Sequence, residues 1–135
     1  MRASALYPRI LAIESRTWKS ASGNGADTGS MRAFYADMLP RLAARGGLRV
    51  LLVQRDGEDL GYLHGGVVGD HFRGLQVSFD ERVRDLSLGN LLQREMIARL
   101  CEEGCASYDL GTRSEYKRRW AEEGLQTITV LARPR

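Results

Sequence analysis

The apolar positions of this chain change period twice. Over residues 6–18, Ile10, Leu11, Glu14 and Trp18 are spaced for one face of a helix, with Pro8 in the first turn, where a missing N–H costs little. Residues 19–29 are rich in Gly and Ser with no apolar period and read as a surface connection. Met31, Phe34, Tyr35, Met38, Leu39, Leu42 and Ala43 then recur at steps of three and four. They predict a second helix from about Ser30 to Gly46-Gly47, kinked at Pro40. From Leu48 the spacing shortens to β-rich runs. Residues 48–55, 60–68 and 71–79, separated by Asp56-Gly57 and Gly69-Asp70, form a three-stranded antiparallel meander. Glycines 61, 65, 66 and 74 inside these strands call for a bulge or for a ligand close to the backbone. Helical spacing returns with Leu88, Leu91, Leu92, Met96, Leu100 and Cys101 on one face of a helix closed by Gly104. Residues 105–110 then read as a strand, which the intervening helix makes parallel to the third. A short helix over 114–122 and a last strand over 125–131 follow. The expected class is α/β with a mixed sheet, an antiparallel three-stranded meander followed by a strand-helix-strand crossover.

The 135 residues suit one domain spanning the whole chain, large enough to bury a core without metals or disulfides. A hydrophobic share of 43% with 27% charged residues excludes a disordered chain. No apolar run reaches membrane-spanning length and no signal-peptide core opens the chain, so a cytoplasmic protein without membrane contact is expected. Cys101 and Cys105 have no neighbouring histidines to complete a metal site. They read as small buried hydrophobes, and no metal is expected. The net charge of +3 rests on arginine, Lys19 and Lys117 being the only lysines. Arginine suits phosphate, but these arginines are scattered among acids, which argues against a nucleic-acid partner.

The stretch most suited to chemistry is Arg82-Val83-Arg84-Asp85-Leu86-Ser87-Leu88-Gly89-Asn90-Leu91, where a strand passes through a small-residue turn into the most periodic helix. Unpaired N–H groups at such a helix start, over Leu88 to Leu91, can hold a pyrophosphate, with Arg82 and Arg84 flanking it. An ordinary connection capped by Ser87 or Asp85 fits the spacing equally well.

The order of elements is similar to that of the GNAT acyltransferase superfamily. Its Arg/Gln-x-x-Gly-x-Gly/Ala signature is met by Arg84 and Gly89, with Ser87 where the first glycine is expected. Trp18-Lys19, Phe79-Asp80-Glu81, Ser87-Leu88-Gly89, Tyr108-Asp109 and Tyr116-Lys117-Arg118-Arg119-Trp120 together resemble the CelD/FemAB-like branch, in shared order over most of residues 14–120. Members of that branch are commonly longer and often hold two such folds. The resemblance therefore implies either the C-terminal part of a longer protein or a minimal copy that pairs as a homodimer or with a second GNAT-like domain.

The resemblance implies transfer of an acyl group, acetyl or other, from acyl-CoA to a small-molecule or peptide amine. Gln76, Val77 and Ser78 would meet the pantetheine through their main chain, and Arg82, Arg84, Ser87, Leu88, Gly89, Asn90 and Leu91 would hold the pyrophosphate. Tyr116 would protonate the leaving thiolate and Lys117 would stabilise developing negative charge, while Asp109, an unpaired charge in the otherwise apolar run 105–110, is the candidate base with a perturbed pKa, with Asp80 and Glu81 as alternatives. Read without the resemblance, Tyr116 and Trp120 are core residues of a short helix, Lys117 its solvated face and Asp109 a cap. Two other functions compete. One is a FemAB-like aminoacyl transferase, although the chain has no coiled-coil arm. The other is a degenerate GNAT domain with a structural or dimerising role, favoured by Ser87 and the small size.

Overall fold

Strand β1 (Leu48–Arg55) pairs antiparallel with β2 (Glu58–Val68), and β2 pairs antiparallel with β3 (His71–Phe79), as the meander requires. The computed structural model describes residues 3–17, 29–112, 114–122, 124, 126 and 128–133. Strand β4 (Ser107–Asp109) lies parallel to β3 and completes a mixed four-stranded sheet in the order β1-β2-β3-β4.

Helices cover both faces. On one face α1 (Ala3–Glu14) and α2 (Gly29–Ala44) bury Leu6, Ile10, Ile13 and Leu39 with Tyr62, against Leu48, Val50 and Leu52 of β1. On the other, α3 (Leu88–Glu102) buries Leu92, Met96 and Leu100 against Leu51, Leu63 and Phe72. Each such side chain removed from water contributes about 1.5–3 kcal/mol. Among the described residues, no helix is long and apolar enough to cross a membrane.

Register is broken twice, and glycines mark both places. Between His64 and Gly65 of β2 the pairing jumps from Gln76 to Gly74, so Leu75 of β3 is an extra residue. A Cβ on Gly65 would overlap the Arg73 carbonyl and the Phe72 ring, which lies over this glycine. Between Val53 and Gln54 of β1 the partner jumps from Gly61 to Asp59, making Leu60 the extra residue. The bulge alternative read from the glycines is therefore the one realised.

Several expected boundaries move. The first helix runs over Ala3–Glu14, which places Pro8 inside it and not in its first turn. The loop at 80–87 contains a 3-10 turn, Glu81–Leu86, opened by Asp80. The strand expected over 105–110 keeps three residues, and the helix expected over 114–122 shrinks to a 3-10 turn, Lys117–Arg119. Gln126 and residues 128–131 form no strand, and Ile128, Val130 and Leu131 stay 80–89% exposed; Leu125 and Thr127 lie outside the described residues. Leu91 and Cys101 face outward, while Gln93 takes a buried place on α3. Cys101 is exposed and Cys105 half-buried, so the pair does not serve as two core hydrophobes. Trp18, Lys19 and most of the 19–29 connection lie outside the described residues.

Candidate functional site

The sheet opens between β3 and β4. Their pairing covers only His71–Ser107, Phe72–Tyr108 and Arg73–Asp109, and beyond it β3 runs on to Phe79 paired with β2 alone, with no strand on its other edge among the described residues. Three local features produce the opening. The Leu75 bulge bends β3 just after the last shared pair. Gly74 leaves room for the Tyr108 ring, which a Cβ there would meet at 3.0 Å. Gly111 adopts φ +82, a conformation open to glycine, and turns the chain away after β4. A cavity of about 170 Å³ lies in this V, bounded by Gly74–Val77 of β3, Leu63, Gln93 of α3, Tyr108 of β4 and Lys117.

At the mouth of the V, α3 begins. Ser87 is left-handed, at φ 52 and ψ 42, in the place where the family signature carries its first glycine. Its side chain makes no cap bond, so neither Ser87 nor Asp85 caps this helix by side chain. Its carbonyl accepts from the N–H groups of Asn90 and Leu91, which leaves those of Leu88 and Gly89 outside the helical ladder. The expected four-residue anion cradle is thus two residues wide. A Cβ on Gly89 would have the Tyr116 hydroxyl at 3.5 Å and the Phe79 ring at 3.8 Å, so backbone, Tyr116 and Phe79 converge there.

The flanking arginines are engaged. Arg82 binds Asp80 and Glu58, each at 2.6 Å, and Arg84 pairs with Glu81 at 2.6 Å. Arg82 is therefore a clasp and not an open phosphate fork, whereas the exposed Arg84–Glu81 pair is of the weak surface kind that an anion readily displaces.

The acid–base candidates also move. Asp109 ends β4 with an exposed carboxylate that accepts from Arg73 at 2.6 Å and from the Gly111 N–H at 2.7 Å. The Gly111 N–H and the Arg73 guanidinium hold its pKa below the usual range, so it is not the unpaired buried base that its apolar run suggested. Asp80 is fully buried, and the bonds from Arg82 and Arg16 likewise hold it far down. Glu81 is tied to Arg84. Lys117 lines the cavity, donates to the Thr112 carbonyl at 2.8 Å, and has its pKa lowered by burial and by Arg73. Tyr116 lies at the mouth beside Gly89, and burial pushes its phenol up. The Tyr-Lys pair thus divides between the two ends of the cleft.

Sequence reasoning missed a polar cluster on the opposite face. Glu14, fully buried at the end of α1, accepts from the Tyr62 hydroxyl at 2.7 Å. Tyr62 stacks on His64 at 5.6 Å, and Tyr35 meets His64 edge-on at 5.4 Å. The Gln76 side chain hydrogen-bonds Tyr35, and burial drives His64 down to about 4. The available signal was an acid spaced onto the apolar face of α1. Ser78 is buried opposite Tyr62 on the same side.

Residues 1–118 match the family model described as acetyltransferase (GNAT) domain. The chain belongs to the GNAT acetyltransferase domain family. Solved structures agree on the fold. A putative acetyl transferase from Pyrococcus furiosus superposes with a TM-score of 0.70 at 13% identity, over 98% of this chain and 97% of that one. A GNAT family acetyltransferase from Brucella melitensis, solved in complex with acetyl-CoA, gives 0.67 at 18% identity over 87% and 77%. The ribosomal-protein-S18-alanine N-acetyltransferase from Escherichia coli gives 0.57 at 20% identity, covering 78% of this GNAT chain, which spans only 59% of that enzyme's length. No curated protein matches by sequence.

Proposed function

We propose that this GNAT domain transfers an acyl group from acyl-CoA to an amine of a small molecule or peptide. The observation that carries the reading is the alignment of two features: the N–H groups of Leu88 and Gly89, unpaired among the described residues, stand at the mouth of the same V whose closed end holds Lys117 and Tyr108. In this reading the pyrophosphate rests on those N–H groups with the Tyr116 hydroxyl beside them and Arg84 released from Glu81. The pantetheine follows β3 past Ser78, Val77 and Gln76, and the thioester reaches the cavity. The amine nitrogen attacks the thioester carbonyl and gives up a proton, the amide C–N bond forms as the C–S bond breaks, and the thiolate takes up a proton and leaves as CoA. Support comes from the family membership and from the Brucella relative solved with acetyl-CoA. The five motif segments between Trp18 and Trp120 favour the CelD/FemAB-like branch, and a second copy or second domain as partner. A non-catalytic, structural role is the competing reading, favoured by Ser87 and by the commitment of Arg82 to Asp80.

Calorimetric titration with CoA and acetyl-CoA tests the reading, with Gly89→Glu as the decisive variant. The open surroundings of Gly89 let a glutamate fit, and in the first helical turn it favours the dipole, so the fold should survive. Its charge at the phosphate position should abolish binding while the thermal melt stays near wild type. Retained binding in a folded Gly89→Glu protein would refute the proposed seat, and no binding by the wild type would favour the structural role.

A further inference from the structure

The closed end of the cleft is polar. Along β3, the five residue steps from Phe79 back to Gly74 span about 16 Å, so an arm anchored at Gly89 runs inward and delivers its acyl end among Tyr108, Gln93 and Lys117. Gln93 is 3% exposed, and its carbonyl oxygen accepts from the Tyr108 hydroxyl at 2.5 Å. That bond fixes the amide, whose N–H donors have no acceptor among the described residues and stand on the cavity wall. Beside it the Lys117 ammonium forms no ion pair among the described residues. The acid that acts on it through space, Asp109, is already held by Arg73 and Gly111. A half-buried cation and a buried amide therefore face one small space walled by Leu63 and Val77. An aliphatic acyl tail would desolvate both donors and pair with neither. A carboxylate would satisfy both.

We propose, resting on the acyl-CoA reading above, that this cleft selects a short acyl group ending in a carboxylate, as in a dicarboxylic acyl thioester, with Lys117 and Gln93 as its specificity-determining residues. Tyr108 acts through Gln93 as a positioning residue. The transfer itself is unchanged: the amide bond forms, the C–S bond breaks, and the distal carboxylate takes no part in the electron flow.

The test uses stable thioethers, so that binding is read without turnover: S-carboxypropyl-CoA, its uncharged isostere S-isohexyl-CoA, and CoA itself, titrated by calorimetry. Wild type should bind the carboxylate form about tenfold more tightly than the isostere. Lys117→Met should bring the ratio to about one. Gln93→Glu keeps an acceptor for Tyr108 but turns the donor into a like charge, and should invert the ratio. Each analogue is read as its affinity relative to unsubstituted CoA on the same protein, so that any general effect of a substitution on the cleft cancels. Equal affinities in the wild type, or a preference that both folded variants retain, would overturn the selectivity while leaving CoA binding intact. Failure of the wild type to bind any of the three would overturn the acyl-CoA reading and this inference with it. Lys117 is surface-proximal, so its variant decides the matter should Gln93→Glu fail to fold.

Discussion

Replacing Asp80 by Asn should loosen the 3-10 turn that leads into α3 and reveal itself in the pH dependence of stability. The Asp80 carboxylate is fully buried and accepts from Arg16 Nε at 2.6 Å, from the Arg82 guanidinium at 2.6–3.1 Å and from the Arg82 backbone N–H at 2.9 Å. It joins the segment after α1 to the end of β3 and caps the 3-10 turn. Breaking a buried pair costs about 3–5 kcal/mol when the partner is stranded. Here Arg16 keeps the carbonyls of Ala12 and Asp59 and Arg82 keeps Glu58, so the loss should be about 2–3 kcal/mol. For a chain of this length that lowers Tm by about 10 °C. Urea titrations of wild type and variant from pH 7 down to 3 provide the assay. The folded carboxyl is held below its unfolded value of about 3.9, so its contribution is complete above that value and fades as pH falls towards the folded pKa. The gap between the two proteins should therefore be constant near neutrality and shrink below about pH 4. An Asn variant as stable as wild type at pH 7, or a gap independent of pH, would refute the clasp.

Other consequences can be checked directly. His64 is held neutral by burial at a pKa of about 4, so the unfolded chain takes up the proton first. Stability present above about pH 6.5 should fall by about 3 kcal/mol on acidification to 4, and His64→Phe should flatten that slope in denaturant melts. Gly65→Ala forces a methyl into the Arg73 carbonyl and Phe72 ring and should cost about 2–3 kcal/mol by urea unfolding, whereas Gly69→Ala, with open space around it, should cost only about 1 kcal/mol, that of an alanine held at positive φ. Gly74→Val drives its side chain into the Tyr108 ring and the cavity, and should lower CoA affinity in calorimetry at least tenfold while the far-UV spectrum stays unchanged.

The meander, its glycine turns and the places of Leu88, Leu92, Met96 and Leu100 on α3 were legible because local period and turn chemistry decide them. Gly57 and Gly69 do sit at positive φ between the strands. The end of the chain was not legible. Residues 125–131 have strand composition, but a strand exists only where a neighbour offers its edge, and a sequence does not display that neighbour. Asp109 misled for a related reason: its partner Arg73 lies 36 residues away and meets it only once β4 pairs with β3. The Glu14–Tyr62 bond, spanning 48 residues, is equally silent in a local window. The turn into α3 was read in the right place, yet only the backbone of Ser87 reveals that a serine takes up the left-handed geometry where the signature has a glycine.

The extra residue at Leu75 also governs which length changes this family member can tolerate. Before it, even-numbered Phe72 packs towards α3; after it, even-numbered Gln76 and Ser78 face α1 and α2, and odd-numbered Val77 takes the α3 side. Deleting that one residue would leave Gln76, Val77 and Ser78 on their present faces, because Gly74–Gly65 and Gln76–His64 would become successive pairs of the ladder, but it would straighten β3 where the sheet opens. A single-codon deletion there should therefore keep both cores packed while narrowing the cleft, so that the packing of this strand and the opening beside it are set by different residues.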